Sequence, residues 1–325
     1  MRNILITGGA GFIGSHLVKY FVKKYTNYNV INVDKLTYAS NVDFLSEISS
    51  FKNYKFVQAD ICDSKIIETI FEKYNISDVI HLAAESHVDN SIENALEFAK
   101  TNILGTINLL ELSRNNWSKN KNNLFYHIST DEVFGSLNES GIFSENSKYD
   151  PHSPYSASKA SADHFVRAYY DTHKLPVIIS NCSNNYGPNQ NKEKLIPTVI
   201  NSLINKSKIP VYGNGLNIRD WLYVEDHVEA IDMIFHKGTV GETYCIGGEN
   251  EIKNIDLIKL IIKEFDYMKQ NKNSSIDLLS FVKDRLGHDY RYAIDISKIK
   301  NELGWEPKTS VSIGLKNTLN WYLNG

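Results

Sequence analysis

Seven residues near the amino end, Gly8-Gly9-Ala10-Gly11-Phe12-Ile13-Gly14, constrain this chain more than any other stretch. They follow a short apolar run, Asn3-Ile4-Leu5-Ile6-Thr7, which reads as a first strand. Behind them Phe12, Ile13, Leu17, Val18, Phe21 and Val22 repeat at helical spacing. A glycine-rich turn between a strand and a helix is the setting in which a dinucleotide is held. Without Cβ atoms, Gly8, Gly11 and Gly14 let a pyrophosphate meet the helix N-terminus and its free N–H groups. The next apolar run, Asn29 to Val33, ends in Asp34, 20 residues past Gly14. A carboxylate there binds the adenosine ribose hydroxyls and repels a 2′-phosphate, so NAD is favoured over NADP. Lys35 weakens that preference slightly.

Strand and helix patterns alternate about six times up to Asn181. Strands are expected at Tyr54 to Gln58, Asp78 to Leu82, Leu124 to Ile128 and Pro176 to Asn181. Helices are expected at Ile66 to Tyr74 and from Tyr155 to about His173. A single long helix is expected from Ser91 to Asn116, with Ile92, Leu96, Ala99, Ile103, Ile107 and Leu110 as its apolar stripe. Trp117 to Asn123 reads as a polar loop. This alternation predicts an α/β fold, a Rossmann-type doubly wound parallel sheet. After Asn181 the regularity fades. Asn184 to Pro188 reads as a turn, Lys194 to Asn205 as a helix, and Ile209 to Gly213 as a short strand and turn. Arg219 to Asp226 leads into another helix, and Glu242 to Ile246 is a strand. A helix over Ile255 to Phe265, a loop over Met268 to Ser275 and an amphipathic helix ending at Tyr322 complete the chain. These later elements predict a smaller mixed α/β C-terminal domain.

Composition excludes several classes. The 325 residues are 42% hydrophobic, enough for a substantial core. The net charge of −3 comes from interspersed acids and bases, with no basic stripe for nucleic acid. Cys62, Cys182 and Cys245 are scattered and odd in number, which argues against a disulfide framework or a cysteine metal site. No metal is expected. The N-terminus enters a strand at once, with no leader, and no apolar run approaches the ~18 residues of a membrane span. A cytoplasmic protein with no membrane partner is therefore expected.

The chemistry concentrates between Ser129 and Lys159. Asp131 and Glu132 follow the strand at Leu124 to Ile128, at the carboxyl end where ligands sit in open α/β sheets. Tyr155 and Lys159 are four apart on a predicted helix and share a face. A phenol titrates near ~10, and a cation held beside it lowers that value. The pair can therefore take a proton from a substrate hydroxyl. Asp60 fits an acceptor for the adenine amino group with Ile61 packing on its ring, and fits equally an acid in a turn. Ala83 and Ala84 leave room for cofactor. His87 and Asp89 fit either substrate-loop residues or helix caps.

These motifs resemble the extended short-chain dehydrogenase/reductases through Thr7-Gly8-Gly9-Ala10-Gly11-Phe12-Ile13-Gly14 and Tyr155…Lys159. Sharper segments closely resemble the dTDP-glucose 4,6-dehydratases within them. These are Asp34-Lys35-Leu36-Thr37-Tyr38-Ala39, Ala84-Glu85-Ser86-His87-Val88-Asp89, Thr130-Asp131-Glu132-Val133, Ser183-Asn184-Asn185-Tyr186-Gly187-Pro188, Glu193-Lys194-Leu195-Ile196-Pro197, Arg219-Asp220-Trp221 and Arg285-Leu286-Gly287-His288-Asp289. The resemblance spans Ile4 to Leu323.

The resemblance implies loss of water from a nucleotide-linked glucose to give its 4-keto-6-deoxy form. NAD takes a hydride from carbon 4 and returns it to carbon 6. Tyr155 would remove the O4 proton, Lys159 hold the phenolate and nicotinamide ribose, and Thr130 hydrogen-bond O4. Glu132 would remove the carbon-5 proton and Asp131 protonate the leaving O6 hydroxyl. The resemblance extends the cofactor set to Phe12, Ile13, Lys35, Thr37, Leu82, Thr101 and Asn184. For the sugar nucleotide it points to Ser86, His87, Asn185, Lys194, Leu195, Pro210, Tyr212, Arg219, Asn254, Arg285 and His288. The implied division is 1–183 plus about 219–248 for NAD, and about 184–218 plus 249–325 for the nucleotide sugar. A homodimer through helices 91–116 and 155–173 is also implied. The segment Asn189-Gln190-Asn191-Lys192 departs from the family, and Ser40 stands where glycine is usual. A 4-epimerase has no use for the acid pair, a GDP-mannose dehydratase usually prefers NADP, and a non-catalytic relative typically lacks the tyrosine or lysine. dTDP and UDP differ by one methyl, worth ~1–3 kcal/mol, so UDP-glucose stays open.

Overall fold

A computed structural model describes residues 2–117 and 122–324. The first half contains β1 (Arg2–Thr7), α1 (Phe12–Lys24), β2 (Tyr28–Asp34), β3 (Tyr54–Gln58), α2 (Ser64–Tyr74), β4 (Asp78–His81), α3 (Val88–Glu93), α4 (Ala95–Phe98), α5 (Gly105–Asn116) and β5 (Leu124–Thr130). Then come α6 (Pro154–His173), β6 (Val177–Cys182), β7 (Asn184–Tyr186), α7 (Leu195–Ile204), β8 (Ile209–Tyr212), β9 (Ile218–Tyr223), α8 (Val224–Lys237) and β10 (Thr243–Ile246). The chain ends with β11 (Glu251–Lys253), α9 (Asn254–Lys269), β12 (Leu279–Val282), α10 (Ser297–Leu303) and α11 (Val311–Asn324).

Seven strands form one sheet in the order β10-β6-β5-β4-β1-β2-β3, and every pairing is parallel. A parallel sheet buries both faces, so its strands are apolar throughout rather than alternating. β5 shows this, with all seven residues buried. Ile4 and Ile6 pack with Leu17, Phe21 and Val22 of α1 and Ile231 and Phe235 of α8 on one face. Leu5, between them, packs on the other with Ile70 of α2, Leu109 of α5 and Val166 of α6. The strand order reverses between β1 and β4, and a crevice opens there at the carboxyl ends.

A third core gathers Ile196 and Val199 of α7, Ile258 and Ile261 of α9, and Leu315 and Leu319 of α11. It lies with two small sheets, β11-β9-β7 and β12-β8. Tyr292, Ile294, Ile299 and Trp305 instead return to the first core of the large sheet.

Three expectations need correction. Ser91 to Asn116 is not one helix: α3 stops at Glu93, Asn94 breaks the chain at φ −139°, and α4 begins at Ala95. A π-helical stretch, Ala99–Leu104, then joins α4 to α5. Asn184 to Tyr186 is strand rather than turn, because β9 pairs with it in parallel. The helix over Ile255 runs on to Lys269, into the expected loop. For the expected loop over Trp117 to Asn123, residues 118–121 lie outside the described residues.

Candidate active site

The glycine turn is shaped by what surrounds it. Gly8 sits at φ +73°, and a Cβ there would stand 2.7 Å from the Ala83 backbone. At Gly14 a Cβ would collide with the Gly8 carbonyl oxygen. α1 then begins at Phe12 with no side-chain cap at Gly11 and no acid in its first turn. Its leading N–H groups are thus left for an anion, as a pyrophosphate requires. Asp34, at the end of β2, accepts from the N–H groups of Ala10 (2.9 Å) and Leu36 (2.8 Å) and from the Ser40 hydroxyl (2.9 Å). The unusual Ser40 therefore braces the ribose-side carboxylate.

One cleft runs from this turn across the sheet's carboxyl edge. Gly8, Gly11, Phe12, Ile13, Gly14, Asp34, Lys35, Thr37, Asp60, Ile61, Leu82, Ala83, Ala84, Thr101 and Asn184 all line it. Lys35 is held at the rim by Asp60 (3.1 Å) and Glu97 (3.3 Å). Thr101 Oγ1 and Asn184 Oδ1 are buried with no hydrogen-bond partner in the protein. An open helix end, the fixed Asp34 carboxylate and two orphaned polar atoms in the lining fit a dinucleotide such as NAD.

At the far end stand Thr130, Asp131, Glu132, Tyr155 and Lys159. The sequence places them by capping. Ser153 accepts from Ser156 N (3.0 Å), Ser156 Oγ accepts from Ser153 N (3.0 Å), and Pro154 opens α6. This box fixes the helix start and is worth ~1 kcal/mol, so Tyr155 enters the cleft in its first turn. Opposite, Thr130 ends β5 and accepts from Glu132 N (3.3 Å), which turns both acids inward.

Burial divides the acids. It pushes the Asp131 carboxyl well above the carboxylate range, and the charge of Glu132 adds to this. Burial raises Glu132 too, but Lys194, Arg219 and Arg285 oppose it. Asp131 is thus the neutral partner. The lysine does not lower the tyrosine as the spacing suggests. Burial and then the charge of Glu132 hold the Tyr155 phenol well above 10, with Thr130 pulling it down. Lys159 Nζ instead donates to the Ile128 carbonyl (2.8 Å).

Of the residues expected at the sugar nucleotide, Ser86, Asn185 and Lys194 line the same cleft. Lys194 donates to the Ser86 carbonyl (2.8 Å), and Asn185 Oδ1 meets His227 Nδ1 (2.8 Å). The others lie outside the cleft lining. His87 is the N-cap of α3, accepting from Asn90 N (3.4 Å). Leu195 opens α7 against the third core. Arg219 donates to the carbonyls of Ile218 (2.7 Å) and Asp289 (2.9 Å). Arg285 forks onto Asp89 (2.5 and 3.0 Å) and lies 5.6 Å from the Tyr212 ring centre. Pro210 and Tyr212 share β8, Asn254 begins α9 with its Oδ1 buried and unpartnered, and His288 pairs with Asp284 (2.7 Å).

Sequence reasoning missed Glu85, Cys182, Ser183, Gln190, Asn191 and Glu193 in the cleft wall. The signal available was the polar 189–192 segment. Asn189 is tied to Ser15 of α1 (3.0 Å) and to Asn41 (2.7 Å), which sets its neighbours against the cleft.

A doubly wound sheet whose dinucleotide cleft ends on Tyr-x-x-x-Lys defines an extended short-chain dehydrogenase/reductase. The family model described as GDP-mannose 4,6 dehydratase matches residues 5–318, and the chain belongs to that family of nucleotide-sugar 4,6-dehydratases. A "Probable dTDP-glucose 4,6-dehydratase" from Sinorhizobium fredii is 52% identical over 325 residues, 98% of this chain and 92% of that one. A dTDP-glucose 4,6-dehydratase from Haemophilus influenzae is 50% identical, covering 99% of this chain and 98% of its own. The crystal structure of dTDP-glucose 4,6-dehydratase from Bacillus anthracis in complex with NAD superposes with a TM-score of 0.90 at 42% identity, covering 100% of this chain and 97% of that one.

Proposed function

We infer that this chain is an NAD-dependent dTDP-glucose 4,6-dehydratase. The observation that carries the reading is the acid pair beside Tyr155, Asp131 buried and neutral and Glu132 half-buried, at the end of a cleft fitted to a dinucleotide. Held along the cleft by Gly8, Gly11, Gly14, Asp34, Thr101 and Asn184, NAD would supply a hydride acceptor for sugar carbon 4 and a hydride donor for carbon 6. Tyr155 accepts the O4 proton, with Thr130 hydrogen-bonded to O4 and Lys159 supplying positive charge in the same cleft. The resulting ketone acidifies the carbon-5 proton. Glu132 removes that proton, and neutral Asp131 gives its own to the departing O6 hydroxyl. A 4-epimerase needs no second acid and base, so the pair disfavours that activity. Asp34, fixed by three donors, favours NAD over NADP. Residues 1–183 plus about 219–248 form the NAD portion in this reading, and about 184–218 plus 249–325 bind the sugar nucleotide. Arg285 meets the diphosphate by exchanging Asp89 for it. The cytoplasm is the compartment that suits three free thiols.

The test is incubation with dTDP-glucose and detection of the 4-keto product by its absorbance in base, beside UDP-glucose. The protein as purified is expected to carry NAD and to turn over with little or none added. Strict dependence on added NADP would sink the Asp34 reading.

The same reading includes a homodimer. Leu96 is 83% exposed, Leu104 59% and Phe165 40%, on α4, the π stretch and α6. These side chains suit pairing with the same surface of a second copy about a two-fold axis. Sedimentation should give a dimer. Leu104→Asp, felt twice per dimer, should raise the dissociation constant at least ~100-fold. A wild-type monomer at all concentrations would refute the assembly.

A further inference from the structure

Beneath Lys159 lies a buried polar pair, Asp163 and His127, that is not part of the cleft lining. Asp163 is one helical turn beyond Lys159 on α6, and His127 faces it from β5; both are 0% exposed. Asp163 Oδ2 accepts from Tyr149 Oη (2.8 Å), Ser129 Oγ (2.9 Å) and Asn181 Nδ2 (3.2 Å). Its Oδ1 faces His127 Nε2 at 3.2 Å. That same ring nitrogen lies 3.4 Å from Lys159 Nζ, too far to compete with the 2.8 Å bond to the Ile128 carbonyl. The His127 ring nitrogen thus stands between the Asp163 carboxylate and the Lys159 ammonium.

The charges follow from this geometry. Burial works against an ionised Asp163, yet His127, Lys159 and Ser129 together bring it below the ordinary carboxylate range. Burial, with Lys159 adding to it, drives His127 down to about 4, so the ring is neutral. Burial also lowers Lys159, and Asp163 is the first of the groups that raise it again. Cys182 faces Lys159 from β6 and is pushed up to about 12 by burial. His81 of β4 is neutral, held well below 6.5 by burial. Tyr155, on the same helix, is a neutral phenol. Of these neighbours Asp163 alone carries a charge opposite to that of the lysine.

We propose that Asp163, buried one helical turn beyond Lys159 and packed against His127, is the positioning residue for Lys159, keeping its ammonium charged and aimed at the reacting end of the cleft. An ammonium out of water needs a countercharge. Three donors on one carboxylate oxygen hold that countercharge in place, with the His127 ring 3.2 Å from the other. The inference rests on the dehydratase reading, because Lys159 matters there as a cation.

The test is the pH profile of carbon-4 oxidation, followed as single-turnover NADH absorbance with dTDP-glucose. Asp163→Asn keeps the shape and removes the charge. Lys159 then loses its proton more easily, so the alkaline limb should move down by about one to two pH units. The rate at the acid end and the KM should stay near wild type. A uniform loss at every pH, or an unshifted profile, overturns the proposal. Where Asp163→Asn alone does not fold, the double variant with Lys159→Met removes both charges. Recovery of its melting temperature supports the pairing, and no recovery overturns it. Wild-type protein run alongside separates the two levels. If it makes no keto sugar, the dehydratase reading fails, and the melting comparison still decides the pairing.

Discussion

Tyr155→Phe should lower the rate of NADH formation with dTDP-glucose by about 100- to 10,000-fold, the range for loss of a general base. The substitution removes one oxygen and keeps the ring. The ring's edge-on packing against Phe98, at 6.4 Å between centroids, should survive, so folding and binding are expected to hold. The measurement is stopped-flow absorbance at the NADH band in a single turnover. The phenol is pushed up by burial first and by the charge of Glu132 second. Its basic form is therefore scarce at neutral pH, and the wild-type oxidation rate should climb as pH rises from ~6 to ~8. The phenylalanine variant should lose that climb. An unchanged NADH rate in the variant would remove Tyr155 from the base role.

Glu132→Gln should stop the reaction one step later. The amide has nearly the same shape but cannot take the carbon-5 proton. Binding and carbon-4 oxidation should proceed, and NADH should accumulate instead of being consumed, with product formation down by about 100- to 10,000-fold. The environment supports this division. Lys194, Arg219 and Arg285 favour the ionised form of Glu132, whereas Asp131 is kept neutral by burial and by Glu132 itself. Asp131 then has a proton to give when Glu132 has room for one. In the variant the repulsion from Glu132 is gone, so Asp131 and Tyr155 should both ionise more easily, and the oxidation step should hold its rate at lower pH than in wild type. Turnover near the wild-type rate in Glu132→Gln would refute the assignment.

What the sequence alone determined was local. Glycines 8, 11 and 14 fall between a short continuous apolar run and a period-3.6 run, so strand, turn and helix could be read in register. Tyr155 and Lys159 share a helix face by spacing. Tertiary structure decided what depends on distant partners. β7 is a strand only because β9, more than thirty residues on, pairs with it, and no propensity in Asn184-Asn185-Tyr186 announces that. The break at Asn94 divides a stretch whose apolar repeat suggested one continuous helix. The protonation of Asp131, Glu132 and Tyr155 is set by burial under several elements at once. Periodicity cannot report it, because desolvation depends on every atom nearby and not on neighbours in the chain. The same reason hid Asp163 and His127. In the sequence they are an acid on a helix and a histidine in a strand, and only the fold sets them beneath Lys159.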